Sequence, residues 1–246
     1  MALLPCIGTA QVAGIGVVSP VVVSNSALIA DFHRRWAWVG YEPSRFGLPE
    51  LHWAYAGIAS PLVPHWHGAL EVWGRVVQPR FSHVRLRLQG AVRLTAVLGV
   101  GIAVTVTRYS VEGMPTRWWG GIDIGMRTNL SPKLKLGSVL ENVVLWSHLK
   151  GSSAEQRFSL GVGWSGGTWG AELDAVIATL SSPALSLTTT AELTRATTIV
   201  LRTANSPLQL QLGTHLELSD VALDLGIAFH SVLGWRHALT VAYRWD

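Results

Sequence analysis

Cysteine is all but absent from this chain. Cys6 is the single one in 246 residues, so no internal disulfide can form. Charge is scarce as well. Asp, Glu, Lys and Arg together make up 14% of the residues, against about a quarter in an ordinary soluble domain. A water-soluble globule of this size would be hard pressed to cover its surface with so few charges. The net charge of +4 is modest and scattered, with no basic tract or aromatic–basic platform, which excludes a nucleic-acid partner. Long hydrophobic runs are missing too. A spanning helix needs about 20 mainly apolar residues. The longest candidate, Ala96 to Thr107, lies between Arg93 and Arg108 and is rich in Gly and β-branched residues, a composition that favours strand. The first residues carry no basic n-region, so a secretory leader is not visible as written.

What the chain has in quantity is apolar residues, 49% of the total, arranged with period two. Leu98, Val100, Ile102, Val104 and Val106 alternate with Gly99, Gly101, Ala103 and Thr105. Leu208, Leu210 and Leu212 alternate with Gln209, Gln211 and Gly213. Phe158, Leu160, Val162 and Trp164 alternate with Ser159, Gly161 and Gly163. Such alternation marks strands with two unlike faces. Turn signals such as Ser131-Pro132, Gly166-Gly167, Ser181-Ser182-Pro183 and Asn205-Ser206-Pro207 separate the runs. They divide the chain into about fourteen strands: 35–42, 50–60, 68–77, 81–91, 95–109, 116–128, 133–145, 157–165, 168–180, 184–194, 197–204, 207–216, 219–230 and 235–245. Most have a length suited to crossing a bilayer at a tilt.

Alternation by itself fits a soluble β-sandwich equally well, with the apolar face turned to a core. Three features favour the inside-out arrangement. The weak face is mostly Gly, Ala, Ser and Thr with a few charges, which suits a barrel lumen. There are twelve tryptophans, and many sit near predicted strand ends. Trp36, Trp38, Trp53, Trp118, Trp164, Trp169, Trp235, Tyr243 and Trp245 are expected to form aromatic girdles at the lipid–water interfaces. The last strand puts Leu239, Val241, Tyr243 and Trp245 on one face and ends one residue after an aromatic. The expected fold is therefore all-β: a closed antiparallel transmembrane β-barrel over residues 35–246, bathed in outer-membrane lipid. Residues 1–34 lack the alternation and are expected to form a short, partly helical hatch in or across the lumen.

Three stretches carry a family resemblance: Asn25-Ser26-Ala27-Leu28, Phe46-Gly47-Leu48-Pro49-Glu50-Leu51 and Leu233-Gly234-Trp235-Arg236-His237. The chain resembles the PorV/PorQ-like outer-membrane barrels of the FadL-type, fatty-acid-transporter-like superfamily. The family's early Asn-Pro-Ala-Gly-Leu motif would fall on Asn25 to Ile29, with Ser26 in place of Pro and Leu28 in place of Gly. The resemblance implies fourteen strands and an N-terminal hatch. It also implies a bacterial outer-membrane component of an envelope assembly related to type IX secretion, with other secretion-complex proteins as partners. The alternative is a transporter for a small hydrophobic ligand, which expects a lateral opening in the wall and an apolar pocket under the hatch. The remaining alternative is a soluble all-β binding module.

Catalytic and metal chemistry find little footing. His65-Trp66-His67 follows Pro61 and Pro64 and has no carboxylate or Cys beside it, so no metal site is expected. The Gly-rich 161–167 stretch reads as a strand and hairpin rather than a nucleophile elbow. Neither an enzyme nor a cofactor is expected. The polar candidates are the charges on the weak face: Arg85, Arg87, Arg127, Arg157, Glu172, Asp174, Glu192, Arg202 and Asp224. They are read chiefly as pairs that rigidify a filled lumen, and secondarily as a polar path for a solute.

Overall fold

The computed structural model describes residues 25–43, 52–77, 81–147, 155–206 and 208–246. Cys6, the Phe46–Leu51 stretch and residues 1–24 of the hatch segment lie outside these. Fourteen strands follow one short 3-10 helix, Ser26–Asp31, termed the plug helix. They are β1 (Arg35–Glu42), β2 (Trp53–Val63), β3 (Trp66–Val77), β4 (Phe81–Arg93) and β5 (Leu98–Val111). Next come β6 (Arg117–Asn129), β7 (Leu134–Ser147), β8 (Arg157–Gly166), β9 (Trp169–Ala178) and β10 (Ala184–Thr194). The set ends with β11 (Thr197–Asn205), β12 (Leu208–Leu218), β13 (Val221–His230) and β14 (Gly234–Trp245).

Each strand pairs antiparallel with its sequence neighbour, and β1 pairs with β14, which closes a barrel. Closure removes every free sheet edge, the condition for strands to lie in hydrocarbon. The register starts at Arg35 opposite Trp245 and keeps residues of like parity on one face. Leu70, Leu88 and Val104 sit side by side on β3, β4 and β5, and all three point outward, 43%, 59% and 44% exposed. The same holds for Leu187, Leu201, Leu212 and Leu225 farther round. Inward positions carry Thr188, Thr190, Gln211, Asp123 and Glu172, all buried. An apolar outside around a polar inside is a membrane barrel, and it removes the soluble-sandwich alternative.

Short turns occupy the end of the barrel that holds Arg35 and Trp245, at residues 64–65, 94–97, 130–133, 167–168, 195–196 and 219–220. This is called the terminal end. Longer connections, including 43–52, 112–116 and 148–156, occupy the opposite end. Three ladders carry a register shift: β2–β3, β10–β11 and, most markedly, β6–β7. Between β6 and β7 the register shifts twice, at Gly120/Gly121 and Ile122/Ile124. Asn142 turns there with φ 60°, a left-handed conformation that Asn tolerates better than most residues. Its amide N–H leaves the ladder and donates instead to Asp123 Oδ1 at 2.8 Å.

Candidate functional site

The lumen is built around the plug helix. Asn25 caps that helix by accepting from the Ala27 N–H at 3.0 Å, while its Nδ2 donates to the Met126 carbonyl of β6 at 2.9 Å. Asn25 to Ala30 are all but completely buried. The close approach depends on missing side chains in the wall. A Cβ at Gly101 would collide with the Ser26–Ala27 backbone, and one at Gly125 with the Asn25 side chain. At the other end of the helix, Asp31 pairs with Arg93 at 3.2 Å and with Arg127, and Arg93 also donates to the Ala30 carbonyl at 3.1 Å. The plug is thus bolted to β4, β5 and β6 near the terminal end.

An aromatic wall lies beside it. Trp36 and Trp38 of β1, Trp53 and Tyr55 of β2, and Trp73 of β3 all point inward by parity. Leu28, Ile29 and Phe32 of the plug pack with Trp38 and Tyr55 and with Ala59, Ala69, Ala91, Ala222 and Ala242. Glycines let the rings lie flat against the wall: a Cβ at Gly57 would meet the Trp38 ring, and one at Gly40 the Tyr55 ring. Tyr55 arches over Gly40 to hydrogen-bond Thr240 of β14 at 2.7 Å. Tyr55 stacks on Trp73 at 5.1 Å between centroids, Trp53 meets His83 edge-on at 5.1 Å, and His83 stacks on Tyr109 at 4.2 Å. The rings therefore run from Phe32 and Trp36 at the terminal end to His83 and Tyr109 toward the opposite end.

This arrangement corrects three of the expected girdle residues. Trp38 and Trp53 are 3% and 5% exposed and face the lumen, and Trp36 packs between Phe32 and the Arg244 guanidinium. In β1 both faces are apolar, so composition could not assign parity. Trp118, Trp164, Trp169, Trp235, Tyr243 and Trp245 lie on the outer face near strand ends. Trp66 and Trp146, not singled out in the sequence, are also outward at strand ends.

The expected lumen charges divide into groups. Arg87 reaches Asp123 Oδ2 at 3.0 Å and Glu71 Oε2 at 3.8 Å, and it donates to Ser26 Oγ of the plug at 3.4 Å. Arg85 lies one inward position farther along β4, between Trp73 and Thr107. Arg127 holds Asp31 and donates to Asn129 at 3.0 Å. On the facing wall Glu172 and Asp174 are buried, and Ser186 bridges Asp174 at 3.4 Å to Arg202 at 3.1 Å. Asp224 pairs with His215 at 2.7 Å. Arg157 turns to Glu155 at the rim, 2.8 Å away. Glu192 is a correction. It is exposed at the terminal end of β10, where the pairing with β11 slips between Glu192 and Thr194, so it joins no lumen group. Sequence reading missed Glu71 and Asp123 as partners of Arg87. Their i±2 position on the inner faces of β3 and β6 was the available signal.

The wall is paired all round, so the lateral opening that a transporter was expected to have is not present among the described strands. One groove among the described residues, of about 380 Å³, is framed by the outward Leu212, Leu225, Ile227 and Leu239, with His237 and Pro43. It faces outward and is not the pocket expected under the hatch. His65 and His67 do not share a site, since His65 lies in an exposed turn with φ 69° and His67 faces inward. Among the described residues no cluster could hold a metal ion.

No family model and no curated protein matches the chain. Solved structures do. The chain is similar to the Pseudomonas putida toluene transporter TodX, with a TM-score of 0.73 over 97% of this chain and 96% of that one, at 10% identity. The fold is that of the FadL-type outer-membrane barrels. The Ralstonia pickettii toluene transporter TbuX matches with a TM-score of 0.68 at 9% identity, over 91% of this chain and 92% of that one. A Pseudomonas aeruginosa FadL homologue matches with a TM-score of 0.65 at 10% identity, over 91% and 93%. At 9–10% identity these likenesses are of fold alone, and none is to a PorV/PorQ-like barrel.

Proposed function

We propose that this chain is a non-enzymatic outer-membrane channel for small hydrophobic compounds. The observation that carries it is the inner aromatic wall from Trp36 to Tyr109, which leads to the apolar side of the plug. A water-filled pore has no use for six buried or half-buried indole and phenol rings in its lining. For an apolar solute they offer a surface on which it can leave water by steps, each aromatic contact contributing about 0.5–1.5 kcal/mol. The plug keeps the barrel from being an open hole, and the solute passes by displacing it or by slipping between it and the wall. Short turns mark the periplasmic side of such barrels, which puts the plug near the periplasmic end. The hydrocarbon channels of like fold support the same reading. A role in a secretion assembly has no structural observation behind it, and the solute channel is preferred.

The test is initial-rate uptake of labelled p-xylene by cells with an intact outer membrane, with and without the chain. Uptake should rise on expression and fall back when Trp38 and Trp73 are both replaced by Ala. A folded barrel at normal abundance that leaves uptake unchanged removes the reading.

A further inference from the structure

The inner face of β4 and β5 carries a row of polar groups that have no hydrogen bonds among the described residues. Both ring nitrogens of His83 are sealed from solvent and have no hydrogen-bond partner among the described residues. The same is true of Arg85 Nε, Thr105 Oγ1 and Thr107 Oγ1. The register places these groups together: His83 opposite Tyr109, Arg85 opposite Thr107, Arg87 opposite Thr105. Each such group costs about 1–3 kcal/mol when left unsatisfied, so four side chains in one strip call for a partner beyond the described residues. Aromatic rings wall the strip. Trp53 stands edge-on to His83, Tyr109 stacks on it, Trp73 lies beside Arg85, and Trp119 sits opposite Thr107 on β6. Arg85 is half-buried where its neighbours His83, Thr105 and Thr107 are buried, so the strip opens onto the lumen at Arg85.

We infer that this strip is a selectivity site for monoaromatic compounds bearing a hydroxyl, the phenol class, rather than for bare hydrocarbons. The inference rests on the channel reading and narrows its substrate. A phenolic O–H is both donor and acceptor, and a neutral imidazole offers one of each. His83 accepts from the hydroxyl or donates to it, the Arg85 Nε–H donates to the same oxygen, and Thr107 completes the set. The place between Trp53 and Tyr109 is filled by the His83 ring, so the solute ring lies against Trp73 and Trp119, which border Arg85 and Thr107. A methyl group at the same spot would leave every one of these groups unsatisfied, and a site built to bond a hydroxyl rejects an analogue lacking it.

The experiment compares p-cresol with p-xylene, which differ by hydroxyl against methyl, by titration calorimetry on the purified barrel in detergent. p-Cresol should bind roughly tenfold tighter, the worth of one good hydrogen bond. His83→Phe keeps the ring stack and should close the gap, so that p-cresol and p-xylene bind that variant equally. Thr107→Val, which keeps the shape and loses the hydroxyl, should narrow the gap part-way. The migration shift between unheated and heated samples on a gel checks that each variant folds, and if His83→Phe fails that check Thr107→Val carries the test. Equal binding of the two compounds by the unsubstituted barrel overturns the inference, with water alone satisfying the strip, and leaves the channel reading standing. A p-cresol preference that survives in the folded variants also overturns it. If neither compound binds and neither is taken up by cells, the channel reading falls as well.

Discussion

At the scale of single residues, the plug depends on one carboxylate. Asp31 is the joint partner of Arg93 and Arg127, which come from β4 and β6 on either side of β5. Asp31→Asn keeps the shape and removes the charge. The change should loosen the plug by about 1–2 kcal/mol, the low end for a charged hydrogen bond, because Asp31 is 30% exposed and partly screened. Planar-bilayer recordings should then show more frequent openings than in the parent, with the barrel still resistant to unfolding when unheated. Identical recordings would mean that the bolt lies elsewhere, with Asn25 and the Gly101 and Gly125 seats as the next candidates. The sequence marked the segment from Asn25 as unlike the strands, yet it held no trace of the Asp31 pairing. That pairing exists only because closure brings β4 and β6 to the same rim.

At the scale of elements, strand extents and strand faces were legible to different degrees. The ends of β1, β8 and β10 follow from Pro, Gly and Ser clusters, because turn residues report local backbone needs that no distant contact overrides. Faces follow from alternation only where the two faces differ. In β4 the sequence Val84-Arg85-Leu86-Arg87-Leu88 leaves no choice. In Arg35-Trp36-Ala37-Trp38-Val39 both parities are apolar, since lipid and an aromatic lumen wall ask for the same chemistry. The girdle reading failed on β1 and at Trp53 for that reason. The β6–β7 irregularity was illegible too, because a side chain does there what backbone does elsewhere. Asp123 takes the Asn142 N–H with one oxygen and Arg87 with the other. Asp123→Ala should therefore cost about 3 kcal/mol, since it leaves a stray amide and strips a buried guanidinium of a partner. Asp123→Asn, which keeps an acceptor for Asn142, should cost distinctly less. The temperatures at which the variants lose their fast gel migration give the order, and equal midpoints would show that the bulge holds without this carboxylate.

At the scale of the whole molecule, everything turns on which medium touches the outer leucines. Leu88 lies near the middle of β4 with Leu70 and Val104 on either side, all three outward. In water, replacing an exposed leucine by arginine is neutral or mildly favourable. In hydrocarbon it brings a charge to the depth where it is least tolerated, a cost of about 2–4 kcal/mol at the bilayer midplane. Leu88→Arg should thus lower the urea midpoint of the barrel folded in lipid vesicles. The same change at Leu62, 65% exposed near the terminal end of β2, should lower it far less because the side chain can reach the headgroups. The contrast between the two sites is the informative quantity, since it measures depth and not merely exposure. A uniform effect at both would mean that no hydrophobic slab surrounds the strands, and the aromatic lining would then need another explanation than the passage of apolar solutes between two aqueous compartments.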